Sequence, residues 1–234
     1  MKLLSTNYDD TLYRFKFELV HINIPALKRF REKGNKLLIN TSRPYKSIRK
    51  EIDKFSIPYD YLSCFSGRIL YDKDGNVIYK CSMEPIEELK QLEEKYEDLT
   101  VLEHYFQGSL IGYEISTKKT KNHKQKLKDI NSICEKNNLE CKDITPNVAY
   151  RKGKELYLRS KKFNKATPVS TVSELESIKP KDIYAIGISE EDSQVLKAYQ
   201  GFTLPFNSSV EARARAEKEC ISVAHVLRKI KKQP

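Results

Sequence analysis

The chain has 234 residues, 39% hydrophobic, 10% aromatic and 32% charged, a balance that excludes a predominantly disordered chain and allows a core without disulfides or metals. No apolar run approaches the roughly 20 residues of a membrane-spanning helix, and the apolar part of the start is too short for a signal peptide, so a cytosolic location with no membrane partner is expected. Forty-three Lys and Arg against 32 Asp and Glu leave +11, an excess that attracts polyanions and phosphorylated metabolites without choosing among them.

Residues 2–8 read as a strand leading into Asp9-Asp10-Thr11-Leu12, followed by Ile24, Leu27 and Phe30 at helical spacing. Pro25 suits the first turn of that helix and Gly34 its exit. Residues 36–40 form a buried-type apolar run, and Thr41-Ser42-Arg43-Pro44 opens a second helix carrying Tyr45, Ile48, Ile52 and Phe55. Strand, helix, strand, helix points to a parallel sheet covered by helices, whose ligand site lies in the loops after the strands. Residues 69–80 alternate around Asp74-Gly75-Asn76, a hairpin signal.

From Met83 the texture changes. An acidic helix over 84–97, strands over 101–106 and 110–116, a lysine-rich helix over 121–137 and strands over 148–150 and 155–159 predict a smaller α+β domain. The first texture then returns, with a helix over 166–178, a strand over 183–186 ending in Gly187, a helix over 193–200 and a strand over 202–204. The expected organisation is a core domain of 1–82 and 161–234 interrupted by an inserted domain of 83–160. Residues 228–232 read as a frayed helix end. The five cysteines are odd in number and lack ligand spacing, so they read as reduced thiols, and the four histidines, far apart, receive no role.

Four ordered motifs make nearly the whole chain resemble the haloacid dehalogenase superfamily phosphatases of the Cof-like, type IIB kind. Asn7-Tyr8-Asp9-Asp10-Thr11-Leu12 answers the family's Asp-x-Asp-Gly-Thr-Leu, and Thr41-Ser42-Arg43 answers Thr-Gly-Arg. Ser66-Gly67 stands for Asn-Gly before the hairpin, and Asn164-Lys165-Ala166 for the lysine at a helix start. Twenty-two residues after Lys165, Gly187-Ile188-Ser189-Glu190-Glu191-Asp192 stands where the family has Gly-Asp-x-x-Asn-Asp, and Asn207 follows the closing strand. The resemblance implies an α/β, Rossmann-like core with an inserted α+β cap of type C2. It also implies a nucleophile at position 7, a general acid and base at Asp9, phosphate binding by Thr41, Ser42, Lys165 and Asn207, and Mg2+ held partly by the fourth motif.

The departures fall on the chemistry. Asn7 is a neutral amide that forms no aspartyl phosphate, and Ile188 offers no donor at a metal-ligand position. Mg2+ wants hard charged oxygens, so its binding is expected to be weakened or lost, with Asp192 as the residual weak ligand. The expectation is therefore a catalytically impaired phosphatase scaffold binding a phosphorylated small molecule or a partner. The alternatives are an active Mg2+-dependent phosphohydrolase of sugar phosphates or similar metabolites, and a polyanion or nucleic-acid module using the lysines of 118–128 and the basic residues of 151–162.

Overall fold

The computed structural model describes residues 1–118, 122–144 and 153–231. In chain order, β1 (Leu3–Thr6) leads to α1 (Lys16–Glu18), a π-helical turn (Leu19–Asn23), α2 (Ile24–Arg31), β2 (Lys36–Asn40), α3 (Tyr45–Phe55), β3 (Tyr61–Cys64), β4 (Ile69–Asp72) and β5 (Val77–Lys80). The middle of the chain supplies α4 (Glu87–Lys95), β6 (Leu99–Phe106), β7 (Ser109–Lys118), α5 (His123–Lys136), β8 (Leu139–Asp143) and β9 (Gly153–Ser160). The last part carries α6 (Thr167–Leu175), β10 (Ile183–Ile186), α7 (Ser193–Ala198), β11 (Gln200–Thr203), α8 (Val210–Arg215), β12 (Lys218–Glu219) and α9 (Val223–Lys231). The strand expected over 148–150 lies outside the described residues. Among the described residues no helix is long and apolar enough to cross a membrane.

The chain divides into two units, one of Met1–Lys80 with Asn164–Pro234 and one of Cys81–Phe163. The first is the expected α/β fold. Its sheet runs β12-β11-β10-β1-β2-β3-β4-β5, parallel from β12 to β3 and antiparallel across β4 and β5. The central β1 is covered on both faces, with Leu3 and Leu4 fully buried, which is why parallel strands read as short apolar runs rather than alternating ones. Connections leave β1 toward β2 on one side and β10 toward β11 on the other, so the strand order reverses beside β1. The carboxyl ends of β1 and β10 form the crevice where such sheets bind ligands.

The helices are anchored by apolar stripes. Ile48 and Ile52 of α3 are buried at a four-residue interval, and Val223, Val226, Leu227 and Ile230 make α9 amphipathic. The side chain of Asn23 ties the loop after β1 to α9: Nδ2 donates to the Leu12 carbonyl at 3.0 Å, and Oδ1 accepts from the Ala224 N–H at 3.2 Å.

The second unit is an antiparallel sheet in the order β6-β7-β9-β8, with α4 and α5 packed on it around Leu89, Leu92, Tyr113, Ile115, Ile130 and Leu158. In its basic stretch Lys118, Lys124 and Lys128 are exposed, and Lys126 is the exception. Lys126 is buried, paired with Asp98, and lies 5.5 Å from the Tyr96 ring centroid. Lys154 pairs with Asp143, and Arg159 with Glu140 at 2.7 Å. Lys119, Lys121, Arg151 and Lys152 lie outside the described residues.

One backbone approach in the first unit admits only glycine. Gly67 has φ +91°, and a Cβ there would stand 2.0 Å from the Asn164 carbonyl oxygen. Gly34, at φ +76°, has open space around it. Gly67→Ala is expected to cost roughly 2–3 kcal/mol from strain and displacement together, whereas Gly34→Ala costs about 1 kcal/mol from conformation alone, as read by urea unfolding of the two variants.

Candidate functional site

The loop after β1 is closed on itself. The Asn7 N–H donates to the Ile186 carbonyl of β10 at 3.1 Å, and the Tyr8 carbonyl accepts from the Tyr13 N–H at 2.9 Å. Asp10, where the family resembled has glycine, takes a left-handed φ of 52°, a conformation Asp tolerates better than most side chains. This turn points Asn7 back at its own loop. Its Oδ1 accepts from the Tyr8 N–H at 2.9 Å, and its Nδ2 donates to the Asp9 carbonyl at 3.1 Å. An aspartate in the same pose would set two oxygens against each other and need a cation between them; the amide brings its own hydrogen.

The Asp9 carboxylate is held as well. Arg43 grips it with two nitrogens, Nε to Oδ2 at 2.8 Å and Nη2 to Oδ1 at 2.5 Å. The guanidinium lies 5.1 Å from the centroid of the buried Tyr8 ring, whose hydroxyl donates to Glu51 at 3.0 Å. The bond to Asp9 raises the Arg43 pKa against the opposing effect of burial, while burial and then Glu51 push the Tyr8 hydroxyl up.

Lys165 and Asp192 form the deepest pair of the site, 3% and 2% exposed, with Nζ 2.7 Å from Oδ1. The other Asp192 oxygen accepts from the Ile188 N–H at 2.9 Å, the Ser189 N–H at 2.9 Å and the Ser189 hydroxyl at 2.7 Å. Gly187 makes room for this, since a Cβ there would meet the Asp192 Cβ at 2.3 Å. The Lys165 carbonyl accepts from Asn40 Nδ2 at 2.7 Å, which carries the pair to the end of β2.

Thr41 is buried, with its Oγ1 accepting from the Arg43 N–H at 3.1 Å. Ser66, in a left-handed conformation between Phe65 and Gly67, donates to Glu191 at 2.7 Å and so joins the loop after β3 to the loop after β10. Ser42 is exposed. Asn207, also exposed, has φ 63°, and the loop bearing it is held to the β10 loop by the Ser209 N–H on the Ile188 carbonyl at 2.7 Å. Among the described residues neither Ser42 nor Asn207 hydrogen-bonds to the other expected site residues through its side chain.

These donors do not fit a resident Mg2+. Ile188 is a buried hydrocarbon, the Asn7 amide nitrogen occupies the Asp9 carbonyl, and both Asp192 oxygens are taken by protein donors. Among the described residues there is no group of three or more His, Cys, Asp or Glu side chains placed to hold a metal. Asp192, expected as a residual weak metal ligand, is paired with Lys165 in this structure. Arg43, to which no role was assigned from the sequence, belongs to the site, and Glu191 is bonded to Ser66 within it. Their partners lie 34 and 125 residues away, too far for spacing to reveal, and the one signal was a basic residue directly after Thr41-Ser42.

Residues 4–155 match the haloacid dehalogenase-like hydrolase family. An uncharacterised protein of Mycoplasma capricolum subsp. capricolum is 29% identical over 84 residues, which are 34% of this chain and 31% of that protein. A phosphoglycolate phosphatase of Methanococcoides burtonii is 23% identical over 208 residues, 89% of this chain and 82% of that protein. Among solved structures, a haloacid dehalogenase-like hydrolase from Bacteroides thetaiotaomicron has a TM-score of 0.74 at 15% identity, covering 98% of this chain and 99% of that one. A Thermotoga maritima protein has a TM-score of 0.76 at 13% identity, covering 97% of each chain. At these identities the shared property is the fold.

Breaking the buried pair from one side strands a charge. Asp192→Leu is expected to lower stability by about 3–5 kcal/mol, and Lys165→Met with Asp192→Leu together to recover most of that loss, because the two apolar side chains leave no unpaired ion. A double-mutant cycle by guanidinium unfolding checks both.

Proposed function

The chain belongs to the haloacid dehalogenase-like hydrolases, and on that premise we propose that it keeps the phosphatase scaffold, is impaired as a phosphohydrolase, and binds a phosphorylated small molecule without a metal ion. The observation that carries this reading is the Asn7 amide donating to the Asp9 carbonyl at 3.1 Å. A carboxamide forms no aspartyl phosphate, so the covalent route through residue 7 is closed. Asp9, the candidate proton donor, is engaged by both Nε and Nη2 of Arg43, so its carboxylate is already partnered within the protein.

Anion binding survives those losses. An amide at position 7 removes one negative charge from the place a phosphate would occupy, which takes over part of what a cation does for a carboxylate there. The Thr41 hydroxyl, the Asn7 amide and Lys165 are the donors of the pocket. Arg43 is the further candidate, because a phosphate offers the same pair of oxygens that Asp9 offers to its fork. The net charge of +11 favours the approach of such a ligand over long range. A nucleic-acid role draws less support, since Lys126, Lys154 and Arg159 of the basic stretch are engaged by carboxylates.

Two measurements test the reading. With Mg2+ present, the unaltered chain is expected to release no phosphate from an aryl phosphate or a panel of sugar phosphates, while the Asn7→Asp, Ile188→Asp double variant gains release that a chelator abolishes. Chelator-sensitive release by the unaltered chain overturns the proposal and makes it a working phosphatase, as the name of the Methanococcoides relative suggests. In calorimetry with chelator present, a sugar phosphate is expected to bind, and Thr41→Val to weaken that binding about tenfold, roughly 1.4 kcal/mol.

A further inference from the structure

The candidate site holds a second ion pair, and solvent reaches it: the Arg43 and Asp9 side chains are 32% and 40% exposed, against 3% and 2% for Lys165 and Asp192. Most of Arg43 is fixed. Its N–H donates to Thr41 Oγ1 at 3.1 Å, its carbonyl accepts from the Phe65 N–H at 3.3 Å, and its guanidinium lies 5.1 Å from the centroid of the Tyr8 ring. That ring is buried and its hydroxyl is tied to Glu51 of α3, so the guanidinium rests on a fixed surface. Nε and Nη2 of the fork go to Asp9, while Nη1 makes no hydrogen bond among the described residues. The Asp9 carboxylate in turn bonds to Arg43 alone among the described residues.

We propose that Asp9 is an internal competitor for the phosphate ligand, a role that rests on the phosphate-site reading: its carboxylate occupies the Arg43 fork in the unliganded chain and yields that fork to the phosphoryl group. Arg43 thus changes partner on binding, while its backbone and the ring beneath it stay in place. The exposed fork allows the exchange to proceed without a bare guanidinium. A phosphate oxygen first takes Nη1, and Asp9 then leaves Nη2 and Nε by rotation of its own side chain into solvent.

Exposure decides which of the two pairs can be exchanged. Parting Lys165 from Asp192 strands two buried charges, whereas water solvates Asp9 once it leaves Arg43, and ion pairs that solvent reaches contribute little. A phosphoryl group at pH 7 carries roughly 1.5 to 2 negative charges and three acceptor oxygens, against one charge and two oxygens on Asp9. The advantage of Asp9 is its attachment to the same loop, which keeps its effective concentration at the fork high. The competition therefore sets a threshold at Arg43, above which a phosphoryl group stands and a simple carboxylate does not.

The test titrates the full chain with inorganic phosphate in the presence of a chelator, reading affinity by nitrogen-15 NMR and following the Arg43 Nε–H as a direct reporter. Asp9→Ala is expected to bind phosphate about fivefold more tightly than the unaltered chain, and Asp9→Asn, which keeps the side-chain shape, to change in the same direction. With Arg43→Ala in the background, the gain from Asp9→Ala is expected to fall below about twofold. The Arg43 Nε–H signal should differ between the unaltered chain and Asp9→Ala without phosphate and converge at saturation. No gain on removing Asp9, an equal gain with Arg43 absent, or an Arg43 signal unmoved at saturation each overturns the exchange while leaving the phosphate site standing. Absence of saturable binding by the unaltered chain and by every variant overturns the phosphate-site reading, and the exchange with it.

Discussion

The ion pair of Lys165 and Asp192 is the constraint around which the first unit is arranged. Two buried charges 2.7 Å apart are tolerable only when their remaining hydrogen-bonding capacity is also met, and three donors on the second Asp192 oxygen meet it. Those donors come from the backbone and side chain of the loop after β10, so the loop has one conformation that satisfies the carboxylate. The Lys165 carbonyl passes the constraint to Asn40 at the end of β2, and Gly67 closes against Asn164 next to it. The pair therefore fixes the start of α6, the β10 loop and the approach to the hairpin at once.

Around that fixed centre the charges are matched inside the protein. Asp9 faces Arg43, Asp192 faces Lys165, and the Asp9 carbonyl faces the Asn7 amide. Ile188, in the loop after β10, is a buried hydrocarbon.

Legibility in the sequence followed burial and locality. β1, β2 and β10 are apolar runs because both faces of a central parallel strand are covered, and the amphipathic spacing of α3 is set by one core-facing stripe. β3, four residues of mixed polarity, gave no pattern long enough to read, and β8, Leu-Glu-Cys-Lys-Asp, is a charged edge strand whose alternation is hidden by its polar face. The end of α9 read as a fray because its lysines and arginine masked Val226, Leu227 and Ile230, which are buried. In the site, the residue types at 7, 9, 41, 165 and 192 were legible as motifs, but their partners were not. That Arg43 takes Asp9, that Glu191 takes Ser66, and that Lys126 lies inside the core are long-range facts that spacing does not carry.

The same distinction explains why Asn7 was readable as a loss yet not as a replacement. Composition at position 7 states only that a carboxylate is missing. The left-handed Asp10 folds the loop so that the amide nitrogen, and not its oxygen, meets the Asp9 carbonyl, while the oxygen meets the Tyr8 N–H. Reversing the amide would oppose oxygen to oxygen and hydrogen to hydrogen, so the loop itself selects the orientation. The amide at residue 7 is thereby a structural member of the loop, with both its oxygen and its nitrogen partnered.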